Sequence, residues 1–478
     1  MSPTPAAPLW QWSACDLAGA IRAGDVSADQ AVGAVIDRVQ AENPRLNAIV
    51  EDLSRAAKET ARQYDAHFAA HGPLGPLHGV PVTIKVNVDQ TGHATTNGVS
   101  AFKDVIAPDD APIVRNLKNA GAIVIGRTNT PEFSFRATTD NPLHGRTLNP
   151  WDDARSPGGS SGGASAALAA GFGPLAHGND IGGSLRFPAF MCGLATIRPT
   201  FGRVPAYNPS APAERSLLAQ MMSTQGVIAR EMRDVRLGTR VLAAPDPRAP
   251  WQAPVPFDGP ALNPPIKVAV ARATNGYAID PAVTDALDRA AETLAAAGYR
   301  VEEVAPPMTE ALANDALASL FGDCRMFLGD AIHRHGSPVI QQIFDAYYEL
   351  YHAYGAEDLL HAMARRTAHA RAWNLFAEEY PLVLSPFMMR PGYDWDEDTR
   401  GPAAVRDIFD SALYSWTMNF LGLPSAIAPA GFAGAFPMSV QIIARRFRED
   451  LALDAAEVLE RANGVAVHEL WRRQGVAV

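Results

Sequence analysis

The chain has 478 residues, 47% hydrophobic and 19% charged, which supplies a sizeable core and excludes a disordered or low-complexity protein. A formal net charge of −10 argues against nucleic acid as a main partner. Phosphate binding needs a basic face, and the densest basic run, Arg445-Arg446-Phe447-Arg448, reads as a solvated turn.

Ser27-Ala28-Asp29-Gln30 is a capping-box pattern, and Val32, Val35, Ile36 and Val39 follow at helical spacing. A second, Ala-rich helix is predicted over about 53–69, so 1–75 reads as a helical part. The texture then changes. Residues 80–88, Val-Pro-Val-Thr-Ile-Lys-Val-Asn-Val, are β-branched and alternating, which predicts a strand with Lys85 at or near its end. A helix is expected over 113–120 and a short buried strand over 122–125. Alternating helix and strand implies a mostly parallel or mixed sheet covered by helices. The uncharged run 156–179 carries too much Gly, Ser and Ala, and a Pro at 174, to suit a membrane span; a packed core segment fits it better. Residues 245–265 are dense in proline and read as an irregular connection. That stretch could divide two domains, but the α/β texture resumes beyond it, which favours one large sheet. Strands are expected over 266–270, 382–384, 425–428 and 438–443, and helices over 281–297 and 450–462.

Three segments carry chemistry. Ser160 and Ser161 lie in Ser156-Pro-Gly-Gly-Ser-Ser-Gly-Gly-Ala164, which meets the loose G-x-S-x-G pattern twice. The preceding 152–157 reads as loop, which weakens a strand-to-helix elbow, while the apolar 166–170 that follows argues against a flexible linker. Ser184 follows Asp180-Ile181-Gly182-Gly183. Two glycines before a serine allow close backbone approach to a substrate and inward-pointing N–H groups; a tight turn packed under the sheet is the bland alternative. Lys85 would ordinarily be solvated at a strand end, but burial would lower its pKa toward that of a general base. Serine acyl transfer needs such a proton acceptor, and no histidine is required.

Together these segments resemble the amidase signature family. Supporting segments are Gly126-Arg-Thr-Asn-Thr-Pro-Glu-Phe133, Arg198-Pro-Thr-Phe-Gly-Arg-Val-Pro205, Gly226-Val-Ile-Ala-Arg230, Leu421-Gly-Leu-Pro424 and Ala430-Gly-Phe432. The spacing matches too: 24 residues between the serines (184 − 160) and 75 from lysine to first serine (160 − 85). The resemblance implies an α/β fold in a single large domain, with a mixed twisted β-sheet covered by helices on both faces. Residues 77–234 would be the signature core and 266–478 the half that completes the sheet. It implies amide hydrolysis with Ser184 as acylated nucleophile, Ser160 as bridging serine after a cis peptide bond, and Lys85 as base. The N–H groups of Ile181, Gly182, Gly183 and Ser184 would form the oxyanion hole, Ser161 would be a structural neighbour, and Asp180 with Arg186 would order the loop. Departures are Val86 where many members have Asp, Asn179 where a hydroxyl is common, and Arg198 in place of a frequent Lys.

Phe187, Ser134 and Phe135 are the expected substrate-binding residues, with Met191, Met221 and Met222 as candidates for an adaptable apolar site. Neutral amides with apolar or aryl groups are the expected substrates, with aryl carbamates and esters open. The rival reading is the glutaminase component of a tRNA-dependent amidotransferase, which Phe187 disfavours. No cofactor and no metal are expected, since no P-loop, dinucleotide fingerprint or H-E-x-x-H occurs. His333 and His335 read as a helix end rather than metal ligands. Three widely spaced cysteines, Cys15, Cys192 and Cys324, form neither a disulfide framework nor a zinc pattern and suit a reducing compartment. With no signal-like N-terminus, the expected location is cytoplasmic, with small-molecule partners, no membrane, and a homodimer compatible with the sequence.

Overall fold

The computed structural model describes residues 7–477. The Ser27 signal works as read: its side chain accepts from Gln30 N, and the Gln30 side chain returns to the Ser27 N–H, starting the helix Ala28–Leu46. The helix Ser54–His71 packs against it. Apolar positions of both helices close a small core with Ala166, Ala167 and Ala170, while the main core follows the length of the sheet.

Eleven strands form that sheet: β1 Ile49–Asp52, β2 Pro81–Lys85, β3 Ile123–Thr128, β4 Leu175–Asp180, β5 Ala195–Arg198, β6 Thr224–Ala229, β7 Lys267–Val270, β8 Arg300–Glu303, β9 Leu382–Pro386, β10 Ser425–Ala433 and β11 Phe436–Ala444. Their order is β1-β3-β2-β4-β6-β5-β10-β11-β9-β7-β8. The pairs β2/β3, β2/β4, β7/β8 and β7/β9 are parallel and the others antiparallel, so the sheet is mixed, as expected. The antiparallel pair β5/β10 joins the first half of the chain to the second. Residues 245–265 contain neither helix nor strand.

All nine residues of the helix Gly162–Ala170 are buried, which accounts for the uncharged run. No helix among the described residues is long and apolar enough to cross a membrane. The basic run near 445 is a turn, but only its first part is solvated: Arg445 and Arg446 are exposed, whereas Arg448 is buried against Asp450. Between residues 304 and 381, where periodicity gave little, stand three long helices, Glu310–His335, Pro338–Tyr351 and Ala356–Glu379. His333 and His335 close the first of them; His333 Nδ1 lies 2.8 Å from the Gly329 carbonyl and Nε2 3.1 Å from Asp345.

Candidate active site

Parallel pairing of β2 with β4 brings their C-terminal ends to one edge of the sheet. Lys85 is the last residue of β2, and Asn179 and Asp180 are the last two of β4. Lys85 is completely buried. Its Nζ lies 2.7 Å from Ser160 Oγ, 3.1 Å from Ser161 Oγ and 2.9 Å from Asn179 Oδ1. All three partners are neutral. Burial therefore dominates and pushes the Lys85 amine well below the ordinary lysine range, with Asp180 pulling more weakly the other way. Beneath it His177 accepts from the Lys85 backbone N–H and contacts Gln225; burial takes its pKa down to about 3, so the ring is neutral.

The two serine loops meet beside this amine. The Gly159–Ser160 peptide is cis, and Ser161 N donates to the Ser184 carbonyl at 3.2 Å. Gly159 packs so closely on the following wall that a Cβ there would stand 2.5 Å from the Arg136 carbonyl oxygen. Gly159 and Ser184 line one cavity, and Ser184 is partly exposed to it.

Asp180 shapes the loop that carries Ser184. Its carboxylate accepts from Gly183 N at 2.8 Å and Leu185 N at 3.2 Å, and pairs with Arg186 at 3.0 Å. Burial alone would raise this carboxyl, but Arg186, Arg198 and a hydrogen bond from Asn419 outweigh it and hold the pKa at about 2. Gly183 has φ +127°, a backbone open to glycine, and its bond to Asp180 corrects one expectation. That N–H is committed to the carboxylate. The N–H groups of Ile181, Gly182 and Ser184 have no protein acceptor among the described residues.

The cavity wall is apolar and largely aromatic. Ser134, Phe135 and Phe187 all line it, together with Ile181, Leu317, Leu320, Phe321, Tyr347, Phe409 and Trp416. Phe135 sits 5.5 Å from Tyr347, Tyr347 stacks on Phe321 at 4.7 Å, and Phe409 lies 5.0 Å from Tyr347 and 5.6 Å from Trp416. Arg136 also reaches the lining, but Asp398 holds its guanidinium with two bonds of 2.8 Å. The methionines are a correction. Met191 and Met222 are fully buried in the core, Met221 is partly exposed on the helix Leu217–Met222, and none of them lines the cavity.

Sequence reasoning missed the contribution of the second half. Ser415 and Asn419, four apart on the buried helix Leu413–Leu421, face the Ser184 loop: Ser415 Oγ donates to the Gly182 carbonyl at 2.8 Å and Asn419 Nδ2 to Asp180. Two polar residues at that spacing in an apolar helix are a usable signal, because buried polar groups need partners. The aromatic residues Phe344, Tyr347, Tyr348 and Tyr351 gave no such signal, since helical aromatic stripes usually mean core. The departures also find their places. Val86 is buried and apolar, and the polar contact passes to the neighbouring Asn87, which bonds both Asn179 and Ser134. Arg198, buried, donates to the carbonyls of Pro199, Leu423 and Met222.

Known proteins resemble this chain in sequence and in fold. The amidase family model matches residues 30–453. An indoleacetamide hydrolase of Bradyrhizobium diazoefficiens is 49% identical over 98% of this chain and 89% of its own length. A glutamyl-tRNA(Gln) amidotransferase component of Moorella thermoacetica is 33% identical, covering 95% of this chain and 97% of that one. Among solved structures, a bacterial aryl acylamidase of the amidase signature family superposes with a TM-score of 0.83 at 25% identity, over 97% of this chain and 99% of its own.

Proposed function

The chain belongs to the amidase family, a hydrolase of carbon–nitrogen bonds other than peptide bonds, and on that premise we propose that it cleaves primary amides bearing a flat aromatic acyl group. Indoleacetamide is the lead candidate. The observation that carries the reading is the aromatic cavity opening onto Ser184, and the 49% identical indoleacetamide hydrolase supports it.

In this reading Ser184 Oγ attacks the amide carbon while its proton passes to Ser160 Oγ and the Ser160 proton passes to the neutral Lys85 amine. The developing oxyanion takes hydrogen bonds from the free N–H groups of the loop, Ile181 and Gly182 foremost. As the C–N bond breaks, the proton returns from Lys85 through Ser160 to the leaving nitrogen and ammonia departs. Water, deprotonated by the same relay, then attacks the acyl–Ser184 ester; the acyl–Oγ bond breaks, the proton returns from Lys85 through Ser160 to Ser184 Oγ, and the carboxylic acid is released. Buried neutral neighbours keep Lys85 uncharged for this task. Aryl carbamates and esters share the acylation step and would be secondary substrates. Glutamine suits the cavity poorly, because its carboxylate would need a free cation and Arg136 is already paired.

The test is turnover by the purified single chain on indoleacetamide, an aliphatic primary amide, an anilide, an aryl carbamate, an aryl ester and glutamine, beside Ser184→Ala. Serine-dependent ammonia release, fastest from indoleacetamide, is the expected result. Preference for glutamine, or activity surviving in Ser184→Ala, would sink the reading.

A further inference from the structure

A neutral lysine amine has two N–H donors and one lone pair, and Lys85 has three partners, so the question is which partner faces the lone pair. The surrounding network answers it. Ser134 Oγ donates to Asn97 Oδ1 at 2.7 Å and accepts from Asn87 Nδ2 at 2.9 Å. Asn87 Oδ1 in turn accepts from Asn179 Nδ2 at 3.0 Å. This fixes the Asn179 carboxamide with its nitrogen toward Asn87 and its oxygen toward Lys85 Nζ, at 2.9 Å. A carbonyl oxygen can only accept, so it takes one amine proton. Ser161 directs its own hydroxyl to the Asn179 carbonyl at 3.4 Å and so accepts the second. The lone pair is left for Ser160, the shortest contact of the three.

We propose that Asn179, pinned by Asn87, is a positioning residue that turns Lys85 into a hydrogen-bond acceptor toward Ser160. The inference rests on the reading of Lys85 as the base. It also links base to substrate pocket, because the chain of amides ends on Ser134, which lines the cavity. The carboxamide does this without adding charge. Asp180 on β4 is the charged group that acts on Lys85 and His177 on β4 is its titratable neighbour; Arg127 on β3 acts on His177 and Arg186 on Asp180, while the helix Gly162–Ala170 contributes none. Asp180 is already ion-paired to Arg186.

The experiment measures the pH dependence of kcat/KM on the best substrate for wild type, Asn179→Asp, Asn179→Thr and Asn179→Val. A carboxylate at this distance favours the protonated amine, so Asn179→Asp should move the acid limb about one pH unit or more upward, with activity regained at high pH. A uniform loss with an unmoved limb would overturn the proposal. Thr and Val have the same shape, but only Thr can accept from Lys85. The Thr variant should keep kcat within a few-fold of wild type, and Val should lose roughly tenfold or more at unchanged KM. Equal kcat in the two overturns the proposal, and this pair decides alone if Asn179→Asp does not fold. Failure here with Ser184→Ala still inactive removes the role of Asn179 and leaves the amidase reading standing.

Discussion

The floor and the wall of the cavity are built on opposite principles. On the floor, around Lys85, Ser160, Asn179 and Asp180, nearly every polar atom is buried and directed at a named partner. The wall, drawn from Phe135, Phe187 and the helices Glu310–His335, Pro338–Tyr351, Pro402–Asp410 and Leu413–Leu421, presents ring faces and edges to the cavity. Hydrogen bonds are directional and costly to leave unmade in the interior, whereas apolar contact is broad and forgiving. On the proposed function, the floor would set whether chemistry happens and the wall on what.

The largest effect should come from the floor. Lys85→Ala should lower kcat on the order of 10⁴-fold or more, since it strands the proton relay, with the fold retained by circular dichroism. Loss of less than tenfold would break the comparison at its base. Asp180→Asn comes next and acts on stability: leaving Arg186 buried without its partner should cost roughly 3–5 kcal/mol in denaturant unfolding. The sign with pH follows from the carboxyl at about 2, below its unfolded value near 3.9. Its stabilisation is complete above about pH 4 and lost as pH falls toward 2, a window that should vanish in the variant.

On the wall the changes should be smaller and selective. Phe135→Leu should reduce kcat/KM for indoleacetamide roughly tenfold while leaving an aliphatic amide within about two-fold, the size expected of one apolar contact in a specificity pocket. Equal losses on both substrates would erase the distinction between floor and wall. At the bottom of the scale, Arg45→Ala removes an exposed pair with Asp153 and should change the unfolding free energy by less than about 1 kcal/mol, with kinetics unaltered.

The same contrast explains what the sequence disclosed. Glycines and serines of the floor are legible because backbone approach and acyl chemistry leave few residue choices, as at Gly159, Ser160 and Gly183. Strand β2 was readable from alternation, although it stops at Lys85 while the alternating run continues to Val88. Strand β4 was not, because Gly178 and Asn179 look like loop and only pairing with β6 makes them extended. The wall stayed hidden because an aromatic residue at helical spacing reads equally as core. The methionines misled for that reason: softness suggested a pocket, yet none of the three reaches the cavity lining. The Gly183 N–H shows a different limit. Four consecutive amides looked equivalent in sequence, and the Asp180 side chain singled one out.

The pairing of β5 with β10 has a bearing on how the polypeptide is made. Strand β5 is complete when residue 198 leaves the ribosome, but its neighbour begins only at Ser425. Throughout the synthesis of the intervening stretch, one edge of the nascent sheet stands with unpaired amides and carbonyls, the kind of edge that recruits other strands. The serine loops would emerge early yet lack Ser415 and Asn419 beneath them. On this topology a chain stopped before residue 425 should leave that edge open and be prone to association rather than act as a slow enzyme.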